Sequence, residues 1–240
     1  MPSSLHQPLP GGARAVPRLR QFSGFRVFID FDNTITRGDV LDRIVERFSE
    51  TAEWRTLEEA WVAGKIGARA CLDGQMRGLR ATWPEFAEVL DSVELDSCFA
   101  DLQRMLQLSG TDFTILSDNF DLFLGHILRR HGMDAIPYRA NHLELEGDRV
   151  APSFPYGNPE CPACAHCKKV HFMPPNDDAR AVIFIGDGKS DICPSTHADL
   201  VFAKDNLLSH LTRAGVPCRG YADLGDVAGA LSSILRENKF

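Results

Sequence analysis

The stretch Phe25-Arg-Val-Phe-Ile-Asp-Phe-Asp-Asn-Thr34 joins a short apolar run to two aspartates. Residues 25–31 predict a buried strand, because a short apolar run bounded by turn-forming residues is typical of a strand covered on both faces. Asp30 and Asp32 are two residues apart, so a strand at this point directs both carboxylates to one side of the sheet. A hard cation such as Mg²⁺, which prefers oxygen ligands, offsets the repulsion between two such carboxylates.

A second acidic cluster follows another apolar run later in the chain. Residues 181–186, Ala-Val-Ile-Phe-Ile-Gly, predict a buried strand, and Asp187 and Asp191 follow within Ile185-Gly-Asp-Gly-Lys-Ser-Asp191. The glycines of this segment permit a tight turn and a close approach of the backbone. Asp-Gly alone is an ordinary turn signal, and Asp30-Asp32 alone could be a polar strand exit with a helix cap. Two strand ends that both carry aspartate are harder to explain as turns.

Between the two acidic clusters lie a serine and two lysines that suit a phosphate. Residues 111–117 predict a strand that ends at Ser117, and the N terminus of the helix after it favours an anion. Lys168 and Lys169 lie in the Pro- and Cys-rich segment 155–177, which we expect to be irregular. Each of these residues alone is typical of a cap or a solvated charge. Their order along the chain, together with the aspartates, favours a site for a phosphoryl group.

Helical patterns alternate with the strands. Residues 38–97 are mostly helical, with an apolar stripe over 40–48 and a candidate capping box at Thr82 and Glu85. The remaining patterns predict helices over 98–108 and 223–236, a hairpin over 142–154 and a short strand over 199–203. Strands that alternate with helices predict an α/β fold with a mainly parallel sheet.

The composition excludes several classes of protein. The 240 residues are 44% hydrophobic and 25% charged, which suffices for one large domain or a core domain with an insertion. No run of about 18 apolar residues is present, so we expect no transmembrane helix and no membrane partner. The net charge of −7 argues against binding of nucleic acid, whose phosphates require a basic surface. The oligomeric state stays open.

The cysteines and the first residues bear on location. Seven cysteines, three of them within seven residues, suit reduced thiols or a metal better than a disulfide framework, and we expect a cytoplasmic protein. Residues 1–24 are rich in Pro, Gly and Arg and have no acidic residue. We expect a disordered tail there, with an early start codon or an organelle transit peptide as alternatives.

The ordered motifs resemble those of the haloacid dehalogenase-like phosphohydrolases. These motifs are Asp30-x-Asp32-x-Thr34, Ser117, a lysine, and Gly186-Asp187-x-x-x-Asp191, and they span roughly residues 25–205. The resemblance implies a Rossmann-like parallel-sheet core with a small helical cap inserted after the first strand. The core would comprise residues 25–37 and 98–240, and the cap residues 38–97.

The resemblance also implies a role for each motif residue in a Mg²⁺-dependent phosphatase. Asp30 would be the nucleophile that forms an aspartyl phosphate, and Asp32 the general acid and base. The implied metal residues are Asp30, Asp32 through its backbone carbonyl, Asp187 and Asp191. The implied phosphate- and substrate-binding residues are Thr34, which also holds the motif turn, Asp39, Ser117, Asp118, Asn119, Lys168 and Gly188. Lys168 is favoured over Lys169.

Within this superfamily the chain resembles the phosphoserine phosphatase-like branch. The segment from Gly186 to Lys204, and Cys167-Lys168 after a Cys-rich loop, look like the methylthiopentenyl phosphate phosphatases. Ser117-Asp118-Asn119 replaces the Ser-Gly-Gly of both groups and is closer to phosphocholine and phosphoethanolamine phosphatases, and Ser190 stands where Asn is expected. We therefore expect the substrate to be a small phosphorylated metabolite. The candidates are phosphoserine, 2-hydroxy-3-keto-5-methylthiopentenyl-1-phosphate, phosphocholine and phosphoethanolamine, and other sugar or acid phosphates stay open.

The segment Cys161-Pro-Ala-Cys164-Ala-His-Cys167 adds a second candidate metal site. With His171, the three thiols could bind Zn²⁺ tetrahedrally and fix the loop that carries Lys168. The alternative is three reduced thiols packed under a loop.

Two non-catalytic functions compete with the phosphatase. One is a receiver-like switch module that is phosphorylated on aspartate, and the other is a zinc-pinned interaction protein. A receiver-like module lacks both a helical insertion of about 60 residues and a second carboxylate for acid–base chemistry. Because the chain carries both features, the sequence favours the enzyme.

Overall fold

A seven-stranded sheet lies at the centre of the part of the chain that this computed structural model describes, residues 22–173 and 179–237. The strands are β1 (Phe25–Ile29), β2 (Asp112–Phe120), β3 (Tyr138–Glu146), β4 (Arg149–Ser153), β5 (Ala181–Gly186), β6 (Leu200–Ala203) and β7 (Arg219–Gly220). Their order across the sheet is β4-β3-β2-β1-β5-β6-β7. Neighbouring strands are parallel except for the β3–β4 hairpin. The predicted α/β fold with a mainly parallel sheet is confirmed.

The helices follow the order that the sequence patterns predict. They are α1 (Val40–Phe48), α2 (Glu53–Val62), α3 (Ala68–Arg77), α4 (Trp83–Asp91), α5 (Phe99–Leu108), α6 (Asp121–Arg130), α7 (Ile192–Ser195), α8 (Asp205–Ala214) and α9 (Leu224–Glu237). Short 3-10 helices cover Lys168–Phe172 and Lys189–Asp191. The first of these interrupts the segment that we expected to be irregular, whose residues 174–178 lie outside the described residues.

Four helices, α1 to α4, are inserted between β1 and α5. An antiparallel bridge between Thr36 and Leu95 joins the two ends of this insertion. The predicted capping box is present at the start of α4, where the Glu85 carboxylate accepts a hydrogen bond from the Thr82 N–H at 2.7 Å. The insertion therefore leaves and re-enters the core at adjacent points, directly after β1.

Strand β2 is longer than the sequence pattern predicts. The apolar run ends at Ser117, but β2 continues to Phe120, with a shift in its register against β3 between Leu116 and Phe120. The polar residues of this extension are held by side-chain hydrogen bonds, described below, that no local pattern reveals. The predicted β3–β4 hairpin is confirmed, with Gly147 at φ +64° in its turn.

The core lies on both faces of the parallel strands, as expected for strands flanked by helices. Ile29, Ile115 and Ile183 are fully buried on one face, which belongs to the main apolar cluster. Phe28 and Phe184 lie on the opposite face, in a smaller cluster. This burial on both faces explains why β5 is a continuous apolar run and why β1 is apolar apart from Arg26, whose guanidinium group donates to the Phe172 carbonyl at 2.6 Å.

The described chain begins beside the core. The predicted tail, residues 1–24, lies outside the described residues up to 21, while Phe22 packs against the main apolar cluster and the Ser23 N–H bonds the Ala179 carbonyl at 3.3 Å. Among the helices of residues 22–173 and 179–237, we find none with the length and apolar character needed to cross a bilayer.

Candidate active site

The carboxyl ends of three neighbouring strands bring the predicted motifs together. Asp30 follows β1, Asp187 follows β5, and Ser117 lies in the adjacent strand β2. Ligands of open parallel sheets bind outside this edge, where the strand order changes direction along the chain. The sheet topology therefore assembles residues that are as far as 157 positions apart in the sequence.

Three carboxylates form the one group of three or more potential metal ligands found among the described residues. One oxygen each of Asp30, Asp187 and Asp191 lies within 4.8 Å of the others. Burial, followed by the charge of Asp191, raises the pKa of Asp30 well above its ordinary value and raises that of Asp187. A set of oxygen ligands with this mutual repulsion, two of them buried and one half-buried, fits a hard divalent cation such as Mg²⁺, which would neutralise it.

Lys168 lies against the same carboxylates. Its Nζ donates hydrogen bonds to Asp30 Oδ1 at 2.5 Å, Asp191 Oδ1 at 2.7 Å and Ser190 Oγ at 3.3 Å. Burial alone would lower the pKa of Lys168, but the charges of Asp191 and Asp30 outweigh it and raise that pKa well above its ordinary value. The structure thus places a permanent cation at Asp30, and it is Lys168 rather than Lys169 that occupies this position.

Asp32 is held in a different environment. Its Oδ1 accepts a hydrogen bond from the Val40 N–H at 3.0 Å, and both its carboxylate oxygens lie 3.0 Å from Asn119 Nδ2. The Ser117 hydroxyl lies 3.4 Å from Oδ2. Burial raises the pKa of Asp32 to about 6, against the hydrogen bonds, which lower it. A carboxyl with this pKa can both donate and accept a proton near neutral pH.

Two residues of the first motif orient Asp187. Thr34 is buried, and its hydroxyl donates to Asp187 Oδ1 at 3.1 Å. This contact places Thr34 behind the carboxylate rather than on the cavity wall, unlike the phosphate contact that we expected. Asn33 Nδ2 donates to Asp187 Oδ2 at 2.7 Å, a role that the sequence analysis missed. The only signal in the sequence was the place of Asn33 inside the first motif. In the structure Asn33 adopts φ +54°, which Asn tolerates better than most residues.

The second motif, Ser117-Asp118-Asn119, is held by hydrogen bonds to the Cys-rich loop, residues 161–167. The Asp118 carboxylate accepts the His166 N–H at 2.8 Å, while His166 Nδ1 lies 2.9 Å from the Ser117 carbonyl oxygen. Burial raises the pKa of Asp118 and lowers that of His166 to about 3, so the imidazole is neutral. Asn119 contacts Asp32 rather than only shaping a turn. His166 was not among the predicted site residues, because nothing in its neighbourhood along the chain indicates a contact 49 residues away.

The described residues give no support to the zinc site that the spacing of the Cys-rich loop, Cys161 to Cys167, suggested. Cys161 and Cys164 have their sulfurs 3.4 Å apart, but Cys167 Sγ lies beside Asn158 Nδ2 at 3.9 Å. His171 Nε2 lies 2.7 Å from His166 Nε2 instead of facing the thiols. Within the described residues the four ligand atoms are not gathered into one group. The zinc prediction is therefore without support, because the imidazole and one thiol have other partners.

A cavity of about 660 Å³ lies over these carboxylates, between the sheet edge and the inserted helices. Asp30, Asp32 and Gly188 line it from the core, whereas Asp39 and Trp61 line it from the insertion. The cavity wall also includes Asp42, Glu58, Leu72, Gln75, Asp118, Asn119 and Lys189. Asp39 is also the N-cap of α1, and burial, followed by the charge of Asp32, raises its pKa well above the ordinary value. The volume suits a small metabolite.

Two solved structures of phosphoserine phosphatases share the fold. The chain aligns with a structure described as a phospho-aspartyl intermediate analogue of phosphoserine phosphatase, with a TM-score of 0.63 and 17% identity over 86% of this chain and 98% of that one. A phosphoserine phosphatase from T. onnurineus gives a TM-score of 0.63 and 14% identity, over 91% and 98% of the two chains. At these identities the likeness concerns the fold, and it confirms the predicted Rossmann-like core.

Sequence relatives carry the comparison further. A 2-hydroxy-3-keto-5-methylthiopentenyl-1-phosphate phosphatase of Bacillus pumilus is 24% identical over 212 residues, which is 87% of this chain and 91% of the relative. A phosphatase of the same name from Geobacillus kaustophilus is 27% identical, over 85% and 94% of the two chains. The predicted resemblance and the predicted enzyme class, a phosphoric monoester hydrolase, are confirmed.

A sequence model of the family described as "Putative Phosphatase" matches residues 25–212, from the first residue of β1 to helix α8. This match spans more than half of the chain and includes both acidic clusters, Lys168 and the whole helical insertion. The chain belongs to this family and is a haloacid dehalogenase-like phosphatase.

Proposed function

We propose that the chain hydrolyses a small phosphomonoester through an aspartyl phosphate on Asp30. The observation that carries the proposal is the pair of carboxylates at the floor of the cavity. Asp30 is beside a lysine, while Asp32, with a pKa of about 6, contacts only neutral donors. The first suits a nucleophile that meets an anionic phosphoryl group, and the second suits a proton donor.

The two aspartates act in sequence. An oxygen of Asp30 attacks the phosphorus, the bond from phosphorus to the leaving oxygen breaks, and Asp32 gives its proton to that oxygen. Asp32 then accepts a proton from water, whose oxygen attacks the phosphorus and releases inorganic phosphate and Asp30. Lys168 balances charge on the phosphoryl oxygens and holds Asp30 in place.

A magnesium ion fits the remaining carboxylates. Asp30, Asp187 and the backbone carbonyl of Asp32 would hold it, with Asp191 beside them. When bound, it would neutralise charge on the phosphoryl oxygens and on the carboxylates. Hydrogen bonds from Asn33 and Thr34 would orient Asp187 for this task.

The insertion forms the other half of the site in this proposal. Residues 38–97 act as a cap over a core of residues 25–37 and 98–240, and the cap wall selects the leaving group. Asp39, Asp42 and Glu58 give that wall a negative character, which favours a leaving group with a positively charged nitrogen. Phosphoserine, phosphocholine and phosphoethanolamine have one. The names of the Bacillus pumilus and Geobacillus kaustophilus relatives support 2-hydroxy-3-keto-5-methylthiopentenyl-1-phosphate instead.

A substrate panel separates these candidates. The four phosphomonoesters are compared by kcat/KM with Mg²⁺ present, beside the Asp30→Asn protein as a blank. We expect one of the four to exceed the others by about tenfold or more. A switch module would keep a stable phosphoryl group on Asp30 without turnover. If none of the four, nor p-nitrophenyl phosphate, is hydrolysed above the blank, the proposal is wrong.

We place the enzyme in the cytoplasm. All seven cysteines are free thiols, and Cys161 and Cys164 lie close together without a disulfide bond. Free thiols at this distance support a reducing compartment.

A further inference from the structure

Helices α2 and α3 of the insertion form a hairpin that meets the core at two points beside the cavity. At the first point, Lys189 Nζ donates hydrogen bonds to the backbone carbonyls of Trp61 and of Val62, the latter at 3.1 Å. The ammonium also lies 4.6 Å from the centre of the Trp61 ring. Lys189 belongs to the turn that carries Asp187 and Asp191, so the contact joins the hairpin directly to that turn.

The chemistry at this point favours a cation. The last carbonyls of a helix have no partner within the helix and carry partial negative charge, so an ammonium group is stabilised there. The face of an indole ring attracts the same charge. Two carbonyls at the end of α2 and one aromatic ring therefore surround a single ammonium group.

At the second point the two backbones meet without side chains between them. The Ala68 N–H, at the start of α3, donates to the Ala163 carbonyl of the Cys-rich loop at 2.9 Å. A Cβ atom added at Gly67 would overlap the Pro162 carbonyl, so only glycine permits this approach. Both ends of the α2–α3 turn are thus attached to the core, one to each of the two loops that carry active-site residues.

We infer that Lys189 and Gly67 hold the α2–α3 hairpin closed over the active site and thereby retain the bound substrate. Lys189 also lines the cavity, but its ammonium group is bonded to the Trp61 and Val62 carbonyls, so we assign it a positioning role through that end of the cap. This inference rests on the proposed function. Loss of either contact lets the hairpin move away from the cavity and opens the site to water. Substrate binding then weakens, while Asp30 and Asp32 keep their places in the core.

The first experiment measures kinetics. The variants are Lys189→Met, Lys189→Arg, Gly67→Ala and, as a matched control, Lys65→Met, which removes an exposed cap lysine from the α2–α3 turn. We expect Lys189→Met and Gly67→Ala to raise KM about tenfold with kcat within about threefold of wild type. Lys189→Arg should keep KM close to the wild-type value, because it keeps the positive charge. Equal KM values for wild type and Lys189→Met would overturn the inference.

The second experiment needs no substrate and therefore separates this inference from the proposed function. Trypsin cleaves after Lys65, and the rate of that cut reports how firmly the turn is held. We expect cleavage after Lys65 about tenfold faster in Lys189→Met than in wild type, with the Lys65→Met protein identifying the fragment. Equal cleavage rates would overturn the closure even in an active phosphatase. An inactive wild type that still shows the difference would overturn only the proposed function.

Discussion

At the scale of single residues, two neighbouring aspartates have been given different electrostatic surroundings. Asp30 contacts an ammonium group and shares its surroundings with Asp187 and Asp191, whereas Asp32 contacts amide and hydroxyl donors. The difference follows from their direction at the end of β1 and from the residues that β2 and β5 place on either side. It supports the proposed roles of Asp30 as the nucleophile and Asp32 as the acid.

Replacement of the proposed nucleophile tests that assignment. Asp30→Asn keeps the shape but removes the carboxylate that attacks phosphorus, so we expect turnover to fall by at least about 10³-fold. Lys168 keeps Asp191 and Ser190 as partners, so the thermal unfolding temperature should stay close to wild type. Asp101→Asn, in which an exposed acid of α5 is changed, serves as the control and should keep full activity. Wild-type turnover in Asp30→Asn would contradict the assignment.

The pH dependence tests the proposed acid. Asp32 must be protonated to donate, and its raised pKa of about 6 means that the protonated form is lost as the pH rises through 6. We expect kcat/KM for an alkyl phosphate to fall about tenfold per pH unit above that point. With p-nitrophenyl phosphate, whose leaving group needs little help from a proton, the alkaline fall should be much weaker. Parallel profiles for the two substrates would rule out Asp32 as the acid.

At the scale of elements, the last residue of β5 leaves room for a carboxylate of the turn that follows it. Strand β5 ends in Gly186 because the carboxylate of Asp191 folds back against it, where Oδ2 accepts the N–H groups of Asp187 at 3.0 Å and Gly188 at 3.2 Å. A Cβ at Gly186 would overlap that carboxylate. The glycine of this motif is therefore explained by a close approach, since its φ is not in the left-handed region.

A pair of glycine substitutions tests this account. Gly186→Ala should lower the free energy of unfolding by about 1–3 kcal/mol, the usual effect of overpacking, and should reduce activity by displacing Asp191. Gly229→Ala, in the middle of α9, meets nothing within 4 Å and should raise the free energy of unfolding by about 0.5–1 kcal/mol. Urea unfolding measures both values. The account of the β5 end would be wrong if the two variants had the same stability.

At the scale of the whole molecule, several aspartates of this acidic chain lie together at one edge of the sheet. Asp30, Asp32, Asp39 and Asp187 all have raised pKa values, so these four carboxyls bind more protons in the folded protein than in the unfolded chain. Their contribution to the stability of the metal-free protein therefore falls as the pH rises through these pKa values. A site that weakens the fold in this way is typical of function.

Magnesium should reverse that loss of stability. A cation at a free concentration of 100 times its Kd stabilises the folded protein by about 2.7 kcal/mol. We therefore expect the unfolding temperature to rise on addition of Mg²⁺. The rise should be larger at pH 7.5 than at pH 5.5, because the carboxylates must be ionised to bind. Asp187→Asn should abolish most of it, while Asp101→Asn should leave it unchanged. An equal rise in both variants would place the ion elsewhere.

Much of the fold follows from local patterns. Largely apolar runs predict β1 and β5, because strands buried on both faces need them. The 3.6-residue stripe and the capping box predict α1 and α4. The polar end of β2 was missed, because its extended form depends on contacts to Asp32, His166 and Asn141 rather than on its own sequence. Asn33 and Lys189 were missed for the same reason.

The sequence by itself determined the α/β fold, the order of the motifs and the pair of aspartates, because these depend on periodicity and on residues adjacent in the chain. Only the tertiary structure shows that Lys168, and not Lys169, contacts Asp30. It also shows that His171 contacts His166 instead of the thiols, and that Lys189 contacts the end of α2. Each of these outcomes depends on which side chain reaches a partner many residues away. That distance is fixed by the packing of the sheet, the cap and the loops, and no local pattern records it.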